Sequence, residues 1–378
     1  MKNVVIAGYA RSPFTPAKKG QLAKVRPDEM AAQVVKELVE KSGVEVDDIE
    51  DVIMGCAMPE GEQGLNVARL VGFLSELPLS VAGTTVNRFC GSSMQSVHMA
   101  AGAIQMNAGE AFLCVGIESM TRVPMSGFNP LPHPALYERY PEAYIAMGLT
   151  AENLAKKYQI SRAEQQEMAI QSHAKAAAAQ ASGKFADEIV AIVDGNLRVE
   201  ADGCIRPGTD QATLDDLDPA FDENGTVTAG TSSPLTDGAA ALLVCSEDYA
   251  DAHGLAKIAR LKSIAVAGCA PEIMGIGPVV ATQKALTRAG LELGDIDVIE
   301  LNEAFAAQAI AVIREAGIDE AKVNLDGGAL ALGHPLGATG ARITGKVAAL
   351  LKREGKEFAL ATQCIGGGQG IATVLEAV

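Results

Sequence analysis

KALTRAGLELGDIDVIELN, Lys284 to Asn302, reads as a helix, a turn and a strand, and it echoes KELVEKSGVEVDDIEDVIMG at Lys36 to Gly55. Setting Asp295 against Asp48 gives an offset of 247 residues (295 − 48). Two more stretches keep it: EFALATQC (Glu357 to Cys364) lies 247 (357 − 110) after EAFLCVGI (Glu110 to Ile117), and Gly337 lies 246 (337 − 91) after Gly91. One near-constant offset over three separate stretches is hard to reach by chance, so the chain contains two copies of one α/β unit. Its 378 residues also exceed what one hydrophobic core usually supports.

Within the first copy the elements alternate. NVVIAG (Asn3 to Gly8) is strand-like, ARSPFTP (Ala10 to Pro16) is a turn, and Pro27 opens a helix with apolar Ala31, Val34, Val35 and Leu38. A strand at Ile49 to Met54, a short helix at Asn66 to Leu74 and a buried strand at Ala111 to Gly116 follow. Strands alternating with helices predict a largely parallel sheet with helical cover. The copies are separated by a different region. Thr121 to Pro141 carries Pro124, Pro130, Pro132, Pro134 and Pro141, which predicts irregular chain, and a later helix is opened by a Ser161/Glu164 capping box and closed by Gly183. The insert ends near GTSSPLTDG (Gly230 to Gly238), where AALLVCS (Ala240 to Ser246) returns to the first copy. The expected domains are 1–119 with 236–257, an inserted loop domain at 120–235, and a second core domain at 258–378.

Composition narrows the function. A formal charge of −16 argues against a nucleic-acid partner, and an anionic substrate needs locally positive or N–H-rich ground. Seven cysteines without paired spacing suggest neither a disulfide framework nor a metal site. No apolar run is long enough for a transmembrane segment, and with no apparent leader a cytoplasmic location is the expectation.

The chemistry-bearing residues fall at element ends. In VNRFCGSSMQ (Val86 to Gln95) the β-branched Thr84, Thr85 and Val86 precede Cys90, and Met94, Val97, Ala101 and Ile104 recur afterwards at helical spacing. Cys90 therefore sits on a strand-to-helix turn, where free N–H groups and the helix dipole favour a thiolate. NEAF (Asn302 to Phe305), GGALALGHPLGATGAR (Gly327 to Arg342) with His334, and QCIGGGQG (Gln363 to Gly370) with Cys364 each read as an exposed strand end. Under the duplication His334 falls at the turn equivalent to Cys90, and Cys364 ends the strand beside it, so both copies aim at one crevice. A cysteine with a histidine base is the minimum for covalent catalysis. A second thiol adds an acid/base group, and the glycines beside it admit backbone N–H groups to an oxyanion.

These motifs, in this order and with GTSSPLTDGAA from Gly230, resemble the thiolase family over essentially the whole length, closest to bacterial degradative 3-ketoacyl-CoA thiolases. The resemblance implies the thiolase fold: two duplicated α/β/α core domains of βαβαβαββ type with mixed five-stranded sheets, plus the loop domain. It implies CoA-dependent cleavage of 3-ketoacyl-CoA in fatty-acid β-oxidation, with Cys90 as nucleophile, His334 as its base and Cys364 as acid. His334 with an Asn302-held water would form one oxyanion site, and the N–H groups of Cys90 and Gly366 the other. Ser233 and Ala229 would lie near pantetheine, Met147 and Phe305 near the acyl end. CoA is then a substrate, and no metal or other cofactor is implied. Partners implied are CoA and acyl-CoA thioesters, and a homodimer or homotetramer, with a heterotetramer containing a hydratase/dehydrogenase subunit as an alternative. Ala146 stands where many short-chain thiolases have histidine, and Asp218 where relatives often have arginine.

Rivals are an acetoacetyl-CoA thiolase, a ketoacyl synthase and a non-catalytic CoA binder. A synthase would carry a second histidine in place of Asn302 and lack Cys364; a binder would have lost one of Cys90, His334 and Cys364. Among the other residues, Cys56, Cys114 and Cys245 are expected in the core, His98 on no reactive face, and His133, His173 and His253 in solvent. Cys204 and Cys269 have no expected place.

Overall fold

The computed structural model describes residues 2–378. The first half supplies β1 (Val4–Arg11), β2 (Ile49–Cys56), β3 (Ala82–Val86), β4 (Ala111–Ser119) and β5 (Thr236–Ser246). Their order is β3-β2-β4-β5-β1, with β2 parallel to β3 and β4 and the remaining pairs antiparallel. In the second half, β6 (Ala259–Gly268), β7 (Val298–Leu301), β8 (Phe358–Ile365) and β9 (Gln369–Glu376) run β7-β8-β9-β6 with the same strand senses. The duplication is thus visible in topology. The two halves differ in detail, because the place of β3 in the second sheet holds only one parallel bridge, Ile299 to Val323. That sheet has four strands where five were expected. The sheets join at β1 and β6, through the pairs Val5 with Arg260 and Ile6 with Ala259.

Alternation along the strands assigns two faces. Val52, Met54, Leu113, Val115 and Leu243 face α1 (Pro27–Ser42) and α2 (Val67–Leu74) on the outside. Their neighbours Ile53, Phe112, Cys114, Leu242 and Val244 face inward, toward α3 (Ser92–Gln105) and Ala341, Ile343 and Val347 of a second buried helix. A pair of later helices, Gly277–Ala289 and Ala306–Ala316, covers the outer face of the second sheet. The layers run helix, sheet, helix, sheet, helix.

The middle layer sets the spacing. Its second helix, Leu336–Glu354, is buried without a break from Leu336 to Ala348; most of that run is small or apolar, and its two charged side chains are ion-paired, Arg342 with Glu300 (2.6 Å) and Lys346 with Glu188 (3.1 Å) and Asp326 (2.8 Å). A Cβ on Gly340 would strike the backbone of Met94 in α3, and one on Gly116 would strike Gly337 and Ala338. The two central helices start almost in contact.

The insert is more regular than five prolines predict. Pro134 occupies the first turn of a short helix, Pro134–Arg139, where a missing N–H costs nothing, and the His133 ring accepts from the N–H of Leu136. The capping-box helix runs Arg162–Ala181 with Ser161 and Glu164 paired as expected. Its Ser172 hydroxyl donates to the buried Glu303 carboxylate (2.7 Å), which also receives the Asn324 amide (2.6 Å). The insert is anchored again by Arg11, bidentate to Asp202 at 2.7 and 2.8 Å in a fully buried pair.

Gly340→Ala should destabilise the protein by about 1–3 kcal/mol through overpacking against a backbone that cannot rotate away. A thermal melt by circular dichroism checks this, and an unchanged midpoint would show that the central helices separate freely.

Candidate active site

Cys90 lies where β3 gives way to α3, and the chain turns there through Phe89 at φ +42°, a conformation few side chains adopt. Local bonds hold it. The Ser92 hydroxyl donates to the Phe89 carbonyl (2.6 Å) and accepts from the Arg88 N–H (2.9 Å), while the Phe89 N–H donates to Asn87 Oδ1 (2.8 Å). The same turn is fastened to the second half. The Gln363 amide donates to the Cys90 carbonyl, Arg88 reaches Gln369 Oε1 (2.8 Å), and Gly91 seats against Ile365, where a Cβ would collide. Cys90 and the end of β8 that carries Cys364 therefore move as one unit.

His334 sits on the turn preceding the second central helix. Its N–H donates to Thr236 Oγ1 (3.1 Å), its Nδ1 lies 2.6 Å from Thr339 Oγ1, and its Nε2 lies 3.4 Å from Asn302 Nδ2. Asn302 is fixed in turn by its N–H to the Thr362 carbonyl (3.0 Å). The backbone N–H groups of Gly366 and of Cys90 itself pull the Cys90 thiol down. These strand ends, expected to be exposed, are enclosed: Cys90 is 9% exposed, His334 4%, and Asn302 and Cys364 0%. The layers around the paired helices close over them.

Burial decides the resting charge. It pushes the Cys90 thiol up to about 11, against the two N–H bonds that pull it down and with the Glu118 carboxylate adding to the rise. The N–H groups at the helix start act in the expected direction, but loss of water outweighs them. Burial, helped by Arg342, also lowers His334 to about 3, so the imidazole is neutral. The Cys364 thiol is driven well above its ordinary range by burial and then by Cys90. The free site holds two thiols and one neutral ring.

Around this centre Cys364 packs with Phe305, Val227, Met274 and Met147. Phe221 meets the Phe305 ring edge-on at 5.8 Å. Ser233 donates both its N–H and its hydroxyl to the Ala304 carbonyl, at 3.0 and 2.9 Å, whereas Ala229, Ala146 and Asp218 lie exposed, away from this packing.

Sequence reasoning missed Glu118, the buried acid ending β4. Its carboxylate accepts from the N–H groups of Ala57 (2.8 Å), Met58 (3.2 Å) and Gly337 (2.9 Å) and from Gln63 (2.8 Å). The available signal was an ionisable residue closing an apolar strand. Cys56, Cys114 and Cys245 are buried as expected, and His98 is buried against Thr373 (2.9 Å). His173 is buried too, not solvent-facing, because its Nδ1 accepts the Arg206 N–H (3.1 Å). Cys204 proves to lie beneath the His334 turn, near Gly333 and Thr236, while Cys269 ends the β6 segment half-buried.

Sequence profiles extend the same reading. "Thiolase, N-terminal domain" matches residues 4–248 and "Thiolase, C-terminal domain" matches residues 255–377. The chain belongs to the thiolase family. Similar proteins include the 3-ketoacyl-CoA thiolases of Bacillus subtilis (49% identical) and Aeromonas hydrophila (47%), each aligned over 100% of both chains. The crystal structure of human mitochondrial 3-ketoacyl-CoA thiolase in complex with CoA superposes with a TM-score of 0.92 at 37% identity, covering 100% of this chain and 98% of that one.

With its thiol near 11, alkylation of Cys90 by iodoacetamide in the free thiolase should be slow at neutral pH and still rising between pH 9 and 10. Peptide mass spectrometry reads the site. A rate that levels off by about pH 8.5, the ordinary cysteine range, would contradict the burial argument.

Proposed function

We propose that this thiolase cleaves 3-ketoacyl-CoA with free CoA, giving acetyl-CoA and an acyl-CoA two carbons shorter, in the degradative direction of fatty-acid β-oxidation. The observation that carries the proposal is the placement of these groups: Cys90 packs with Leu336, two residues from His334, His334 meets Asn302, and the Cys90 carbonyl is held by Gln363 beside the buried Cys364. The full-length likeness to proteins named 3-ketoacyl-CoA thiolase supports the choice of substrate.

In the proposed cycle the Cys90 sulfur bonds to the C3 carbonyl carbon as His334 takes the thiol proton. The carbonyl oxygen becomes an oxyanion, met by donors at one of the site's two proposed oxyanion positions. The C2–C3 bond then breaks, its electron pair stays on C2, and Cys364 gives C2 its proton, releasing acetyl-CoA. The acyl group remains as a thioester on Cys90. A CoA thiol enters, passes its proton to the Cys364 thiolate and attacks the thioester carbon, and Cys90 leaves and recovers its proton from His334. Neutral resting groups suit this sequence, because charge appears only as bonds change and then lies in a low dielectric facing fixed donors. The cycle closes on thiols, an imidazole and backbone groups, with CoA as substrate and no call for a metal or a redox cofactor.

Met147 and Phe305 are assigned to the acyl side, beside Cys364, and Ser233 and Ala229 to pantetheine. The unpaired edge of β3 supports a homodimer. Beside that edge Leu65 and Leu79 are 90% and 80% exposed, and a free strand edge with apolar flanks is a template for a second copy. Seven free cysteines fit a reducing, cytoplasmic location. Among the described residues no helix is long and apolar enough to cross a membrane.

Acetyl-CoA release beyond one equivalent per site should depend strictly on added CoA and favour medium or long 3-ketoacyl chains; activity confined to acetoacetyl-CoA would move the assignment to the short-chain enzyme. Cys90→Ser should abolish the acyl adduct seen by intact-protein mass spectrometry, and an adduct persisting on another residue would defeat the mechanism. Cys364→Ser should still acylate but slow turnover by roughly 100- to 10,000-fold, the usual worth of a positioned acid/base. Light scattering should give twice the 39.1 kDa chain mass, and a monomer at micromolar concentration would remove the edge-pairing reading.

A further inference from the structure

The Thr339 hydroxyl stands 2.6 Å from His334 Nδ1 and 3.1 Å from the Pro335 carbonyl oxygen. A hydroxyl has one proton, and a carbonyl only accepts. A helical threonine bonding back to the carbonyl four residues earlier is the ordinary local arrangement, so that proton goes to Pro335. The Thr339 oxygen then presents a lone pair to Nδ1, which must carry the ring proton. The far side of the ring agrees. Asn302 points its amide nitrogen, a donor, at Nε2 across 3.4 Å, and a donor requires a bare nitrogen there. Thr339 is 0% exposed and His334 4%, so bulk water does not compete for either nitrogen, and the bond from the His334 N–H to Thr236 keeps the residue in place.

We propose that Thr339 is the positioning residue that fixes His334 with its proton on Nδ1 and Nε2 bare, making Nε2 the atom that takes the Cys90 proton. The inference rests on the reading of His334 as the base for Cys90. It also gives the base a way to hold its new charge: once Nε2 is protonated, the imidazolium keeps its Nδ1–H bond to Thr339, and the Thr339–Pro335 bond need not reverse. On the Nδ1 side no heavy atom has to move during the transfer; on the Nε2 side the Asn302 amide, a donor facing what becomes an N–H, has to turn or give way.

Four variants of the full chain and one spectrum of the unaltered enzyme test this. In stopped-flow acylation of Cys90 by a 3-ketoacyl-CoA, Thr339→Val should slow the step by roughly 10- to 100-fold, taking as a guide the loss seen when the partner orienting a metal-ligating histidine is removed. KM should change little, and Thr339→Ser, which keeps the hydroxyl, should recover most of the rate. If His334→Ala acylates at the unaltered rate, the base reading falls and this inference falls with it. If His334→Ala is inactive while Thr339→Val acylates normally with an unchanged pH profile, Thr339 alone is refuted. A 15N-histidine spectrum, with the His334 signals identified by their loss in His334→Gln, gives a result even if Thr339→Val fails to fold. A protonated Nδ1 and bare Nε2 are expected, and a protonated Nε2 would overturn the proposal.

Discussion

The near-contact of the two central helices is the constraint on which the rest depends. Each begins beside a reactive residue, Cys90 at one and His334 at the other, and each lies between two sheets that came from the same α/β unit. Glycines allow the close approach: Gly340 lets the second central helix lie against Met94 of α3, and Gly116 on β4 lets the first turn of that helix, Gly337 and Ala338, lie against the first sheet. A larger side chain at Gly340 would push the helix starts apart, and one at Gly116 would push the His334 helix off the first sheet, so either would shift His334 relative to Cys90. Packing deep in the fold therefore sets the geometry of the chemistry.

That position also explains the electrostatics. A helix start usually offers a thiol enough N–H groups to ionise it, and worked examples of reactive cysteines rely on this. Here the same N–H groups lie in a layer covered on both sides by sheet, and removal of water dominates. The outcome is a neutral Cys90 beside a neutral His334. An ion pair would attack faster at rest but would expose a nucleophile before substrate arrives. A neutral pair ionises only when the substrate carbonyl offers a place for the charge.

Much of this was legible in the sequence, and the exceptions have physical causes. The duplicated offset, the Cys90 turn and the alternating elements are local signals, carried by residues that act through spacing and backbone geometry. The second-sheet strand reduced to the Val323 bridge, the helix at Pro134 and the burial of His173 are tertiary outcomes that no periodicity records. Enclosure of Cys364 and Asn302 was missed for the same reason: a glycine-rich strand end reads as exposed until the opposing half of the molecule is placed on it. Thr339 illustrates the limit best. It is one small polar residue in a helix of small residues, and only the facing ring nitrogen gives it meaning.

Glu118 shows how the competing demands on this layer are balanced. A carboxylate at a helix start is favourable by roughly 0.3–1 kcal/mol at a surface and more when partly buried, and Glu118 collects the Gly337 N–H together with two from the end of β2. Burial still raises its own pKa despite those bonds. The same negative charge disfavours a thiolate at Cys90. One side chain thus ties the His334 helix to the first sheet while adding, behind burial, to the rise of the Cys90 thiol. A neutral amide at this position would loosen the first effect and relieve the second, so structural support and restraint of the nucleophile are carried by the same charge and cannot be tuned separately.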